Sequence, residues 1–183
     1  MLSILTILVI FSLAKAIDGC DEYNVGLANT LVIPDSAFSA SSECPQSGNY
    51  HGYRAARGRL DVIYEGPNKK GGWMADASQT SHWIDVDLQA TVNVAGVITQ
   101  GRQCGDDWVK EYRVEYKNSG TTYISVTNTM NLPMTFTGNT DRNTKVTNLF
   151  PKGPVLARNI RIHPTDWNRN APSLRFEVIG CQQ

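Results

Sequence analysis

Ser81-His82-Trp83-Ile84-Asp85-Val86-Asp87-Leu88 alternates apolar and polar side chains with a period of two. Ile84, Val86 and Leu88 fall on one face and Trp83, Asp85 and Asp87 on the other, as expected of a half-buried β-strand. The same period recurs on the C-terminal side. In 110–117, Tyr112, Val114 and Tyr116 alternate with Arg113, Glu115 and Lys117, and Asn118-Ser119-Gly120 then turns the chain into 121–126, which predicts a hairpin over 110–126. Residues 158–163 and 174–180 repeat the pattern, with Ile160, Ile162, Leu174, Phe176 and Val178 inward. No stretch after the first 16 residues sustains helical spacing over three turns, and Gly, Pro, Asn, Asp and Ser clusters interrupt every run. The expectation is an all-β, antiparallel sandwich or barrel.

The chain opens with the apolar run Met1–Leu13, shorter than the roughly 20 residues that span a bilayer. Ala14-Lys15-Ala16 supplies a small-x-small cleavage pattern, so residues 1–16 are read as a signal peptide and 17–183 as one secreted domain. Removing Lys15 leaves 16 basic residues (17 minus 1) against 17 acidic ones. That near neutrality argues against nucleic acid as a partner, since such binding draws on a cationic surface. The remaining 167 residues (183 minus 16) suit a single core.

Four cysteines in a chain addressed to an oxidising compartment favour two disulfides, and three pairings are open. Cys20 and Cys181 stand near the two ends of the expected mature chain. Domain termini commonly lie close together, which favours Cys20–Cys181 and leaves Cys44 for Cys104. In the loop-entropy model the longer closure contributes about 5 kcal/mol.

Three polar loops, at 41–58, 101–109 and 127–145, exceed hairpin length, and such loops on a rigid β scaffold commonly carry function. The order and spacing of Ser39-Ala40-Ser41-Ser42, Arg59-Leu60-Asp61, Trp73, Trp83–Leu88, Ile98-Thr99-Gln100-Gly101, Tyr112-Arg113-Val114, Arg161-Ile162, Pro164, Trp167, Leu174-Arg175-Phe176-Glu177 and Gly180-Cys181 resemble the discoidin family, the coagulation factor V/VIII C-type domains. That resemblance implies an eight-stranded antiparallel jelly-roll-like β-sandwich of galactose-binding-like, discoidin type. It further implies a bridge between first and last cysteines and three spike loops around a ligand cleft. Members bind glycans, anionic phospholipid, collagen or other proteins, and they are not enzymes. Cys44 and Cys104 would both lie at the cleft rim, and their bridge would stiffen it.

Membrane insertion requires large apolar side chains at spike tips. Residues 43–53 carry no Leu, Phe, Trp, Ile or Met, and 102–108 carry Trp108 beside two carboxylates. Met130, Leu132, Met134 and Phe136 alternate and are expected to return to a strand. Anionic phospholipid is therefore disfavoured against an extracellular glycan or glycoprotein. Sugar recognition needs planar donors and acceptors plus an aromatic face. Asn49, Tyr50, His51, Tyr53, Arg57 and Arg102 supply part of that inventory, and Asp106, Asp107, Trp108, Asn139 and Asp141 the rest. The resemblance to collagen-binding receptor members adds Asp61, expected to pair with Arg102 across the cleft floor.

Trp73, Trp83 and Trp167 are read as sheet-packing residues, and Arg161, Arg175 and Glu177 as a structural network. His82 and His163 are expected to be exposed or hydrogen-bonded. G-x-S-x-G, H-E-x-x-H and P-loop patterns are absent, and neighbouring Asp106 and Asp107 have no apolar surroundings to split their pKa values. The reading is a non-enzymatic lectin-like or adhesive module without a cofactor. Some sugar-binding relatives hold a structural calcium with loop oxygens, but no ligand loop for one stands out. No oligomer interface is legible.

Overall fold

The structure, a computed structural model, describes residues 20–45 and 51–182. The expected signal peptide, Asn49 and Tyr50 lie outside the described residues. Nine strands form among the described residues: β1 (Phe38–Ala40), β2 (Trp73–Met74), β3 (Ile84–Gln100), β4 (Val109–Lys117), β5 (Ile124–Ser125), β6 (Phe136–Thr137), β7 (Val146–Leu149), β8 (Val155–Trp167) and β9 (Ser173–Gln182). The count exceeds the expected eight, and β2, β5 and β6 are each only two residues long. All named strand pairs are antiparallel, along the path β2-β9-β3-β8-β4-β5. The predicted hairpin is present, with Tyr116 opposite Ile124 and Gly120 at φ +75° in its turn.

A sandwich needs two layers, and β3 serves both. Its first half pairs with β1 and β8 (Ile84 with Ile162), while its second half pairs with β9 (Gln100 with Arg175). The change comes between Asp87 and Val92, where the register shifts and Gln89 takes φ +64°. Such bulges bend a strand and turn a sheet corner. The alternation seen in the sequence then fills the core. Ile84, Val86, Tyr112, Val114, Ile160 and Ile162 come from one layer, and Leu174, Phe176 and Val178 from β9. Each such buried side chain contributes about 1.5–3 kcal/mol relative to exposure. Trp73 is fully buried and its indole N–H donates to the Ser42 carbonyl (3.0 Å). Cys20 and Cys181 are bonded, as expected.

The outward residues of β9 are buried too. Glu177 accepts the Leu27 and Val178 N–H groups (3.0 and 2.9 Å). Arg175 reaches into the loops, donating to the carbonyls of Gly101 (2.7 Å), Val62 (3.0 Å) and Arg142 (2.7 Å). Gln100, its strand partner, accepts the Asp61 N–H (3.0 Å) and donates to the Asn143 carbonyl (2.8 Å). These two side chains gather three loops at one end of β3 and β9. Arg161 and Asp85 form a second such contact (3.3 Å), with Arg161 lying over the rings of Trp83 and Tyr123. Among the described residues no helix is long and apolar enough to cross a membrane.

Candidate functional site

The rim above Arg175 is tied by its own backbone. Lys70 N–H donates to the Gly52 carbonyl (2.9 Å), Gln103 N–H to that of Gly71 (2.7 Å), and Tyr64 N–H to the Gln103 side-chain oxygen (3.1 Å). Arg57 Nε donates to the Lys70 carbonyl (2.7 Å), and its guanidinium also meets Glu65 and the Ile63 carbonyl. Close approach explains the glycines here. A Cβ on Gly101 would stand 2.8 Å from the Asp141 carbonyl oxygen, so this position lets the 139–145 segment lie against the rim.

Arg102 is the centre of the rim. Its Nε donates to Asp107 Oδ2 (3.0 Å), and Nη2 meets the same oxygen. Its Nη1 donates to the Tyr53 hydroxyl (3.2 Å), and the guanidinium lies over the Tyr53 ring, 5.4 Å from its centroid. Gly105 permits this fold-back, because a Cβ there would collide with the guanidinium and stand 2.7 Å from Asp107 Oδ2. Burial lowers the Arg102 pKa, but the bond to Asp107 together with the charges of Tyr53, Asp107 and Cys104 outweighs it, and the net displacement is upward. Lys70 Nζ sits between two rings, 5.8 Å from Tyr53 and 5.1 Å from Tyr64, within reach of a cation–π attraction. Burial pushes the Tyr53 phenol up, with Arg102 opposing. The result is a partly desolvated surface of fixed donors and aromatic rings.

The structure places Tyr53, Arg57, Arg102 and Asp107 along one rim, and His51 is exposed. Asp106 points elsewhere, toward Arg169 (3.0 Å) and Arg142 (3.5 Å). Trp108 is half-buried, and its carbonyl accepts Asn168 N–H (2.9 Å). Asn139 and Asp141 are struts. Asn139 is buried and donates to the Thr99 and Thr144 carbonyls (3.1 and 2.8 Å), while Asp141 Oδ1 accepts the Asn143 and Thr144 N–H groups (both 2.7 Å).

Residues 37–178 match the model of the F5/8 type C domain, well over half of the sequence. The chain belongs to the F5/8 type C domain family. Lactadherin of Mus musculus is 36% identical over 167 residues, which cover 89% of this chain and 34% of lactadherin. The chain therefore spans about a third of that relative's length. Discoidin II of Dictyostelium discoideum superposes with a TM-score of 0.71 at 23% identity, over 86% of this chain and 58% of that one. The family 32 CBM from C. perfringens NanJ, solved in complex with galactose, superposes at 0.54 with 20% identity, over 80% of this chain and 96% of that one. The two structural likenesses concern the fold.

Within this F5/8 type C fold, three sequence expectations are corrected. Asp61 does not pair with Arg102. Asp107 occupies the guanidinium, and Asp61, held at φ +61°, pairs with Lys145 (2.6 Å). Cys44 and Cys104 are free thiols rather than a bridge. The Cys104 sulfur accepts from Arg102 Nη1 (3.6 Å) while the Cys44 thiol turns to the Pro45 carbonyl (3.6 Å), so each sulfur has its own polar partner. Burial, then Asp76, pushes the Cys44 thiol up.

The third correction concerns the loops. Only the 139–145 part of the 127–145 loop reaches the rim. Residues 127–132 form a separate turn against Lys152, which leaves Met130 and Leu132 in solvent (72% and 56% exposed), while Phe136 enters the core. The segment that completes the rim is 61–72, which brings Ile63, Tyr64 and Lys70. Its signal in the sequence was Asn68-Lys69-Lys70-Gly71-Gly72, a turn-forming, doubly glycine stretch between Leu60 and Trp73 with no strand period. His82 is also buried, at 7% exposure, and its Nδ1 has no partner.

Proposed function

We propose that this chain is a secreted, non-enzymatic recognition module that binds an extracellular glycan or glycoprotein on the rim around Arg102. The observation that carries the reading is the Tyr53–Arg102–Asp107 cluster with Lys70 between Tyr53 and Tyr64. Aromatic faces suit the C–H patches of a pyranose, and fixed donors suit its hydroxyls. The galactose complex of the NanJ CBM, which shares the fold, supports the same class of ligand. A single shallow site binds weakly, so useful affinity calls for clustered ligands.

A second reading, an anionic phospholipid surface, is favoured by one feature of the 61–72 loop. Ile63 and Tyr64 are 56% and 46% exposed beside Lys69 and Lys70. Apolar tips next to cations suit insertion into an anionic bilayer. Glycan-array binding run beside sedimentation with phosphatidylserine liposomes separates the two. Sugar-competed array binding that Tyr64→Ala weakens is the expected result. Liposome sedimentation lost in Ile63→Asp, with a blank array, would replace the glycan reading with the membrane one.

A further inference from the structure

A concave surface lies away from the rim and shares none of its residues. It is a cleft of about 410 Å³ on the outward face of β4 and β8. The register that buries Tyr112, Val114 and Ile162 turns Arg113, Glu115 and His163 outward, with Arg113 directly opposite His163. The segment Thr80–His82 walls one side, Ser125 and Pro133 the other, and Trp167 borders it as well. The volume falls in the range of small-ligand pockets and suits one or two sugar rings.

The polar groups of this cleft are poorly used by the protein itself. His163 Nε2 and Glu115 Oε2 meet at 2.8 Å, so each is the other's hydrogen-bond partner. Arg113 makes no ion pair or side-chain hydrogen bond among the described residues, though it stands on a strand flanked by donors and acceptors. The hydroxyls of Thr80, Ser81, Ser125 and Thr165 also make no side-chain hydrogen bond there. His82, edge-on to Trp167 at 5.2 Å and 7% exposed, keeps a buried Nδ1 with no partner.

We propose that this sheet-face cleft is a second ligand site, specific for a carboxylated sugar of the uronic- or sialic-acid class. The unpaired guanidinium of Arg113 matches a carboxylate bidentately. Glu115 Oε1 and His163 Nδ1, which take no part in the contact between the two side chains, are suited to neighbouring ring hydroxyls. Trp167, Pro133 and Pro164 supply apolar surface for the ring C–H groups. A neutral sugar would leave Arg113 without its counter-charge, so the carboxylate sets the specificity. The site does not depend on the rim reading.

Titration of the full chain with sialyllactose, a glucuronic-acid disaccharide and lactose tests this, followed by NMR of the Trp indole N–H signals with Trp167 assigned by Trp167→Phe. Either acidic sugar is expected to shift the Trp167 signal saturably, with lactose weaker by roughly tenfold or more. Arg113→Ala, an exposed position, should lose that binding by a similar factor while Tyr64→Ala on the rim keeps it. An unmoved Trp167 signal, equal binding of lactose, or unchanged affinity in Arg113→Ala each overturns the proposal. Loss in Tyr64→Ala with retention in Arg113→Ala would assign the acidic sugar to the rim instead.

Discussion

Arg102 Nε donates to Asp107 across 3.0 Å, and Asp107 is only 4% exposed. Removing the cation therefore strands a buried carboxylate, whose lost partner costs more than the pair itself contributes. Arg102→Ala is expected to lower stability by about 3 kcal/mol in urea unfolding. Arg102→Ala with Asp107→Ala should recover part of that loss. A single variant as stable as the parent would show that water already solvates Asp107.

Glu177 holds the 26–28 segment to β9 through the Leu27 N–H, beside its own contact with Val178. Glu177→Leu removes the oxygen that accepts the Gly26, Leu27 and Val178 N–H groups and leaves these donors without it. A loss of about 2 kcal/mol is expected, measured by chemical denaturation. An unchanged midpoint would mean that the 26–28 segment re-forms its bonds elsewhere.

The pH dependence separates His82 from Glu177. Burial lowers the His82 pKa below its ordinary 6.5, with Asp76 opposing, so the unfolded chain binds that proton more readily than the fold. Its contribution is complete above pH 6.5 and declines as the pH falls toward the folded value. Burial raises the Glu177 pKa above 4.5 even though backbone N–H groups pull it down, so that carboxyl contributes below 4.5 and the gain is lost as pH rises through its folded pKa. Melting temperatures of the parent and His82→Asn across pH 4.5–7.5 isolate the histidine. The gap between them should narrow on acidification below 6.5, and a constant gap would exclude His82 as the group responsible.

The cysteine arrangement predicts a labelling pattern. Without reductant, the native protein should take two thiol labels, at Cys44 and Cys104, while Cys20 and Cys181 react only after reduction. Cys44 should react the more slowly than an ordinary exposed thiol, since its raised pKa leaves less thiolate. Mass spectrometry reads both the count and the sites. A protein that takes no label before reduction would carry a second bridge.

The strands were legible because burial on one face writes a period of two into the chain, as Ile84-Val86-Leu88 and Tyr112-Val114 show. The same logic misled at Met130 and Leu132. Their alternation resembles a strand, but Asn128 Oδ1 accepts both their N–H groups (3.0 and 3.1 Å) and folds them into a turn. Arg175 and Glu177 look like solvent-facing residues by the same period. Their burial depends on loops far away in the chain, which alternation does not encode. At the rim, residue types identified Tyr53, Arg102 and Asp107, yet the partner of each cation depended on loop geometry. Asp107 lies five residues from Arg102 and folds back through Gly105, so it displaced the more distant Asp61.

The position of the Cys20–Cys181 bond bears on how the molecule can be mounted. On β3, Asn93 lies beside Cys181 and Gln100 beside Arg175, so about seven residues at roughly 3.3 Å each separate the bond from the gathered loops. Cys20 and Cys181 therefore sit on the side remote from the rim, more than 20 Å away by this spacing. A surface linker attached beside the Cys20–Cys181 bond would hold the domain like a stamp by its handle, with its printing face turned outward.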